Sequence, residues 1–298
     1  MRKLHYITFN MPREAGERVR DALAAIHCDQ WWRPPPNERG LPSFSNTFEF
    51  GDVRVGQLLS FVRSEGLKAL EGITHKYSDD ELRKFPLLAL WVDRDPIATD
   101  SEFGTTYDMS NACSQCGTGA LQTSPLMLPL QGLPRKAKLT LGTRFEILVG
   151  PILHQALVAS QVTGLELRQA LFYRNREPLP WWQFISTYEM PRMSKASKNL
   201  TRIVRPGWGC TTCNRDMHVS TGIEPLDLVY DAAGVDIGLV PDVVHTWECW
   251  GRSVLKDDPV RQLVRGFATP WILVKPKVFD ILRPFKLGDL DFSPVRLA

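Results

Sequence analysis

This chain carries no strong excess of either charge: 36 Lys and Arg stand against 33 Asp and Glu, a formal net charge of +3. Bulk electrostatics therefore gives no reason to expect a nucleic-acid or anionic-membrane partner, and leaves only a local basic patch open. Long apolar runs are also missing. No stretch approaches the ~18 uninterrupted apolar residues of a membrane span; the greasiest, 145–162, is broken by Glu146, His154 and Gln155. The N-terminal stretch Met1 to Asn10 has charges and no apolar signal-peptide core, so it reads as a first strand, with a cytoplasmic location as the default. Gly-x-Ser-x-Gly, Walker and Gly-x-Gly-x-x-Gly patterns are absent, and with them the sequence signs of the chemistries those loops support. Gly132 to Lys138 is basic but lacks phosphate-cradling glycines.

Cysteine is scarce but patterned. Four of the six cysteines form Cys113-Ser-Gln-Cys116-Gly and Cys210-Thr-Thr-Cys213-Asn. Each CxxC reads as a turn that aims two sulfurs at one point, and two such turns supply the four thiolates of a tetrahedral zinc site. Gly117 and Asn214 follow the second cysteine of each pair, where the turn needs a positive φ. With the pairs far apart in sequence, a shared Zn2+ is a structural clasp. Four thiolates argue against catalytic zinc, which keeps an open position. A redox dithiol, or two half-sites completed by histidine such as His218, are the alternatives. A redox pair normally opens a helix after a strand, and neither pair has that setting. Cys28 and Cys249 read as small buried hydrophobes.

The remaining pattern is that of an α+β protein. Residues 1–105 form an N-terminal α/β unit: a strand at Leu4–Phe9, a helix over Pro12–Ile26, a short strand at Thr47–Phe50, a helix over Val55–Leu70, a capping box Ser78-Asp-Asp-Glu81, and a buried strand at Leu87–Val92. Residues 106–298 form a zinc-knuckle α+β domain, and residues 93–135, across the boundary, read as irregular structure. Within it, residues 146–171 align without gaps on 271–296 at a constant offset of 125. Each copy reads as a buried strand, a proline-started helix, a turn at Thr163-Gly164 or Leu287-Gly288, and an alternating strand. Chance similarity between two periodic segments is the competing explanation.

Binding and catalytic candidates are few. Trp31, Trp32 and Arg33, ahead of Pro34, form an aromatic–basic loop of interface type, and Trp181-Trp182 is a second; capping a core explains either equally well. The basic run Arg192, Lys195, Lys198, Arg202, Arg205 reads as a solvated loop, although zinc ribbons also occur in nucleic-acid binders. His245, Glu248 and Cys249 bring acid, base and nucleophile types close together, which is weak without three-dimensional geometry. No catalytic residues are assigned.

The order Cys113-Ser-Gln-Cys116-Gly117, Phe145-Glu-Ile-Leu-Val149, Val162-Thr-Gly-Leu-Glu-Leu167, Trp181-Trp182, Cys210-Thr-Thr-Cys213 and Leu290-Asp-Phe-Ser-Pro-Val295 resembles the bacterial double-CXXCG immunity proteins, over about residues 100–298. Asn214 departs from that pattern, which has glycine. The resemblance implies a cytoplasmic, non-catalytic antitoxin that occludes a cognate protein toxin; from composition and charge, no membrane partner is expected and a nucleic-acid partner is disfavoured. A zinc-ribbon nucleic-acid binder and an enzyme with an unrecognised site are the alternatives.

Overall fold

The computed structural model describes residues 1–12, 16–33, 41–92, 97–99, 103–134, 137–204, 209–220, 226–251, 268–287 and 290–298. They form two compact units: one spans Met1–Glu81, the other Leu82–Ser220 with Leu226–Ala298.

The first unit is a four-stranded antiparallel sheet with two helices. Its elements are β1 (Arg2–Asn10), α1 (Gly16–Ala25), β2 (Trp32–Arg33), β3 (Ser43–Glu49), α2 (Val53–Ser64) and β4 (Ala69–Lys76), and the strand order is β2-β3-β1-β4. Alternation along β1 and β3 buries Ile7, Phe9, Phe44 and Phe48 on one face. The helices lay Val19, Leu23, Leu58 and Val62 on that face. The expected helix over Val55–Leu70 is shorter. Gly66 takes φ 67 and Leu67 N–H returns to Val62 O at 2.9 Å, which closes the helix. Leu70 then falls on β4 and is exposed. The capping box is present in full: Ser78 N–H donates to Glu81 Oε2 at 2.9 Å and Glu81 N–H to Ser78 Oγ at 3.3 Å, opening α3 (Asp79–Leu82).

The second unit contains β5 (Leu87–Val92), β6 (Tyr107–Asp108), β7 (Leu121–Gln122), β8 (Met127–Leu128), β9 (Leu139–Leu141), β10 (Ile147–Val149), α4 (Pro151–Ala159), β11 (Leu165–Phe172) and β12 (Pro178–Ser186). It continues with β13 (Leu200–Arg202), β14 (His218–Ser220), β15 (Leu228–Tyr230), β16 (Val243–Trp250), β17 (Thr269–Val274), α5 (Pro276–Leu282) and β18 (Leu290–Leu297). Two mixed sheets result, ordered β8-β11-β12-β10-β9 and β13-β14-β16-β17-β5-β18-β15, with β6-β7 as a separate hairpin. The buried strand Leu87–Val92 belongs here, between β17 and β18, and not to the N-terminal unit in which the sequence reading placed it.

The two aligned segments take the same form. In each, a strand, a proline-started helix and a second strand flank a third strand that is antiparallel to both. β10 and β11 flank β12, with Leu148 and Arg168 both opposite Gln183. β17 and β18 flank β5, with Leu273 and Ser293 both opposite Ala89. The offset of 125 read from the sequence carries Leu148 onto Leu273 and Arg168 onto Ser293, so register is kept on both strands. Leu153 and Leu157 are buried on α4, and Val278 and Leu282 at the matching places on α5. Gly164, in the turn between α4 and β11, sits at φ 73, where a Cβ would lie 2.3 Å from Val243 O. Gly288, its counterpart, lies outside the described residues. Among the described residues, no helix is long and apolar enough to cross a membrane.

Candidate metal centre

Each CxxC occupies the loop of a β-hairpin. The first lies between β6 and β7, where Tyr107 pairs with Gln122 and Asp108 with Leu121. The second lies between β13 and β14, where Leu200 pairs with Ser220 and Arg202 with His218. The turns match. Gly117 N–H donates to Cys113 O at 2.7 Å and Asn214 N–H to Cys210 O at 3.3 Å. Gly117 has φ 76 and Asn214 φ 58. Asn serves in the second turn because its short polar side chain tolerates the left-handed region better than other non-glycine residues.

The hairpins bring all four sulfurs within 4.8 Å of one another. Cys113 Sγ lies 3.6 Å from Cys210 Sγ, and Cys116 Sγ 3.6 Å from Cys213 Sγ. A disulfide needs about 2.05 Å. Zn–S bonds of about 2.3 Å in a tetrahedron place sulfurs about 3.8 Å apart, so the spacing fits a four-thiolate metal site. The pairing runs between hairpins, so a metal held here ties residues 113–116 to 210–213. Cys116 and Cys210 are buried, and Cys113 and Cys213 partly so. Burial raises the thiol pKa of Cys116, and raises that of Cys213 to about 11. Burial acts the same way on Cys113, but hydrogen bonds to its sulfur from the N–H groups of Cys116 and Gln115 and from the Cys210 and Cys116 thiols together outweigh it, and its pKa falls. A bound cation supplies the positive charge that deprotonates the remaining thiols.

The second knuckle has a charged brace that sequence reasoning missed. Asp216 is fully buried and its carboxylate accepts Cys210 N–H, with Oδ1 at 2.9 Å and Oδ2 at 3.2 Å. Arg202 Nη2 donates to Asp216 Oδ1 at 2.9 Å and to Cys210 O at 2.6 Å, and its Nε to Asp216 O at 2.9 Å. Arg202 Nη1 reaches Asn214 Oδ1 at 3.3 Å. Arg202, expected in a solvated basic loop, is thus the clamp of the cysteine turn. Arg205 lies outside the described residues. The first knuckle is anchored differently: Gln122 and Gln183 exchange amide hydrogen bonds of 2.9 Å, tying its hairpin to β12.

Other candidates fall elsewhere. His218 is not part of the sulfur cluster. Its ring lies 6.0 Å from that of Trp250, its Nε2 is buried without a hydrogen-bond partner, and burial lowers its pKa. His245, Glu248 and Cys249 share β16, with a bulge in the ladder between His245 and Cys249; His245 and Cys249 line one cavity, and Glu248 is not on its wall. His245 Nδ1 meets Ser186 Oγ at 3.2 Å and its Nε2 faces Glu189 at 3.7 Å. Glu248 instead accepts Met193 N–H at 2.9 Å. The Cys249 thiol is pushed up to about 12 by burial, which makes it a poor nucleophile. Trp31 packs edge-on against Phe44 and Phe48 at 6.5 and 5.4 Å, with Arg54 over its ring. The side chains of Trp32 and Arg33, and all of Pro34–Asn37, lie outside the described residues. Trp181 is buried and Trp182 stacks on His154 at 4.0 Å. Across adjacent strands Trp250 stacks on Trp271 and Trp91 meets Trp271 edge-on, so these rings serve the sheet. No family model, no curated protein and no solved structure matches the chain.

Proposed function

We propose that this chain is a non-catalytic binding protein whose second unit is held closed by a structural zinc, and that it acts as an immunity protein against a protein toxin. The observation that carries the first part is the convergence of Cys113, Cys116, Cys210 and Cys213 from two hairpins onto one point. Four thiolates fill a tetrahedral ion's positions, so the metal supplies folding free energy and no reactive site. The immunity role is supported by the order of motifs across residues 100–298, and by a way of acting that needs a complementary surface and no turnover. A cytoplasmic location accords with the reduced thiols this site requires. We also infer that the two strand–helix–strand segments arose by duplication, since the offset of 125 preserves sequence, helix start and strand register together.

The test is direct. Co-expression with the product of a toxin gene adjacent to this one should give a tight 1:1 complex and rescue growth. A folded, metal-loaded chain that neither binds nor neutralises that product refutes the immunity role and leaves the metal centre standing.

A further inference from the structure

Trp247 on β16 is flanked by two guanidinium groups. Arg192 lies 4.1 Å and Arg215 5.1 Å from its ring centroid. Arg215 is fixed: its Nε donates to Trp247 O at 3.0 Å and its Nη2 to the Glu189 carboxylate. Arg192 is exposed and, among the described residues, forms no ion pair. Its guanidinium lies over the Trp247 ring, close enough to the Glu248 carboxylate to offset part of the rise that burial gives that group's pKa, and no hydrogen bond from it is seen among the described residues.

A cavity of about 310 Å³ adjoins this group, with Arg215, Glu189, His245 and Ser186 on its wall beside the rings of Phe145 and Phe184. Phe145 is 58% exposed and sits at φ 62, a conformation that costs an aromatic residue energy. Its N–H donates to Gly142 O at 2.9 Å, so the β9–β10 turn holds this conformation and leaves the ring at the mouth of the cavity. The volume is at the lower end for small-molecule pockets, which run from about 300 Å³, and suits a single large side chain.

We propose that the face centred on Trp247, Arg192 and Arg215, with the adjoining cavity, is the docking surface for a partner protein that offers a carboxylate to Arg192 and an apolar side chain to the cavity. Trp and Arg dominate interface hot spots, and an Arg already stacked in place loses little freedom on binding. The guanidinium fork matches a carboxylate in geometry and charge. Nucleic acid is the poorer fit. Glu189 stands beside Arg215, and a net charge of +3 provides no extended groove for a phosphate chain. Arg215 lies two residues beyond Cys213, and its carbonyl accepts Cys249 N–H at 2.6 Å, so the second knuckle holds one side of the surface.

The inference rests on the binding-protein reading and locates the interface that reading requires. Calorimetry with the full chain and an inactivated form of the adjacent-gene toxin tests it. Arg192→Glu and Trp247→Ala should each weaken binding by about tenfold or more with metal content kept, and Arg192→Glu should also keep the melting temperature. Arg63→Glu, in the first unit, should bind as the parent does. If the parent chain does not bind the toxin, the immunity reading fails and takes this surface with it. Parent binding with undiminished affinity in both Arg192→Glu and Trp247→Ala overturns the surface alone. Two controls have the same force. Loss of a parent dimer in light scattering of Arg192→Glu would assign the face to a second copy. Loss of binding to a fluorescent single-stranded oligonucleotide would assign it to nucleic acid. Either overturns the proposal.

Discussion

Asp216→Asn is the substitution that most sharply probes how the second knuckle is held. The carboxylate is fully buried and receives Cys210 N–H on both oxygens and Arg202 Nη2 on one. An amide of the same shape keeps one acceptor and replaces the other with a donor that faces the Cys210 N–H or the guanidinium. Arg202, whose side chain is only 17% exposed, is left without its counter-charge. Breaking a buried pair this way costs about 3–5 kcal/mol, and partial access of Arg202 to water points to the lower end, about 3 kcal/mol. Groups that orient metal ligands are worth about 10–100-fold in metal affinity, or about 1.4–2.7 kcal/mol. Urea unfolding with and without excess zinc gives the first number, and competition of Co2+ against a calibrated chelator gives the second. The reasoning requires both to fall. Unchanged metal affinity in a folded Asp216→Asn chain would refute the brace, and an equal loss of stability with and without metal would reduce it to an ordinary buried ion pair.

Other expectations follow from single contacts. Gly164→Ala places a methyl 2.3 Å from Val243 O at φ 73, so urea unfolding should show a loss of at least about 1–3 kcal/mol. Asn214→Val puts a β-branched residue at φ 58 and removes an acceptor of Arg202 Nη1; it should cost about 1–2 kcal/mol, while Asn214→Gly stays within about 0.5 kcal/mol of the parent. Burial raises the Glu248 pKa, and its Oε2 is buried without a hydrogen-bond partner. The sign for a carboxyl raised on folding is that ionisation is penalised in the native state, so its contribution to stability falls as pH rises from the unfolded value of about 4.3 through the native one. Glu248→Gln should therefore gain on the parent at pH 8, with the difference closing as pH falls towards 4; a difference independent of pH would contradict this. Cys113→Ser and Cys210→Ser should each lower stability and remove the further loss that chelation causes in the parent.

Much of the second unit was legible because its signals are local. A CxxC followed by Gly or Asn specifies a turn whatever surrounds it, and the ungapped offset from 146–171 to 271–296 follows from a strand, a Pro-started helix and a strand of fixed length. The partner strands were not legible, since β12 follows its two flanking strands in the chain while β5 precedes its own. That is why Leu87–Val92 read as part of the first unit. Long-range charge pairing was hidden for the same reason. Arg202 sits in a run of basic residues and Asp216 beyond the cysteines, and only closure of the β13–β14 hairpin brings them together. Trp31 read equally as core cap and as interface because a tryptophan suits both; the packing of Phe44 and Phe48 around it could come only from the sheet register. The helix ending near Ser64 was overrun because Leu70 fits the helical period by coincidence, and the stop lay in Gly66.

The central claim is that four cysteines from two hairpins hold one metal that fastens the second unit. Metal analysis of the purified, reduced chain, with thiol titration before and after chelation, tests it most directly. The account predicts about one zinc per chain, four cysteine thiols shielded until the metal is removed, and a loss of stability on removal. A chain without metal, with those four thiols freely reactive and its stability indifferent to chelator, would contradict it.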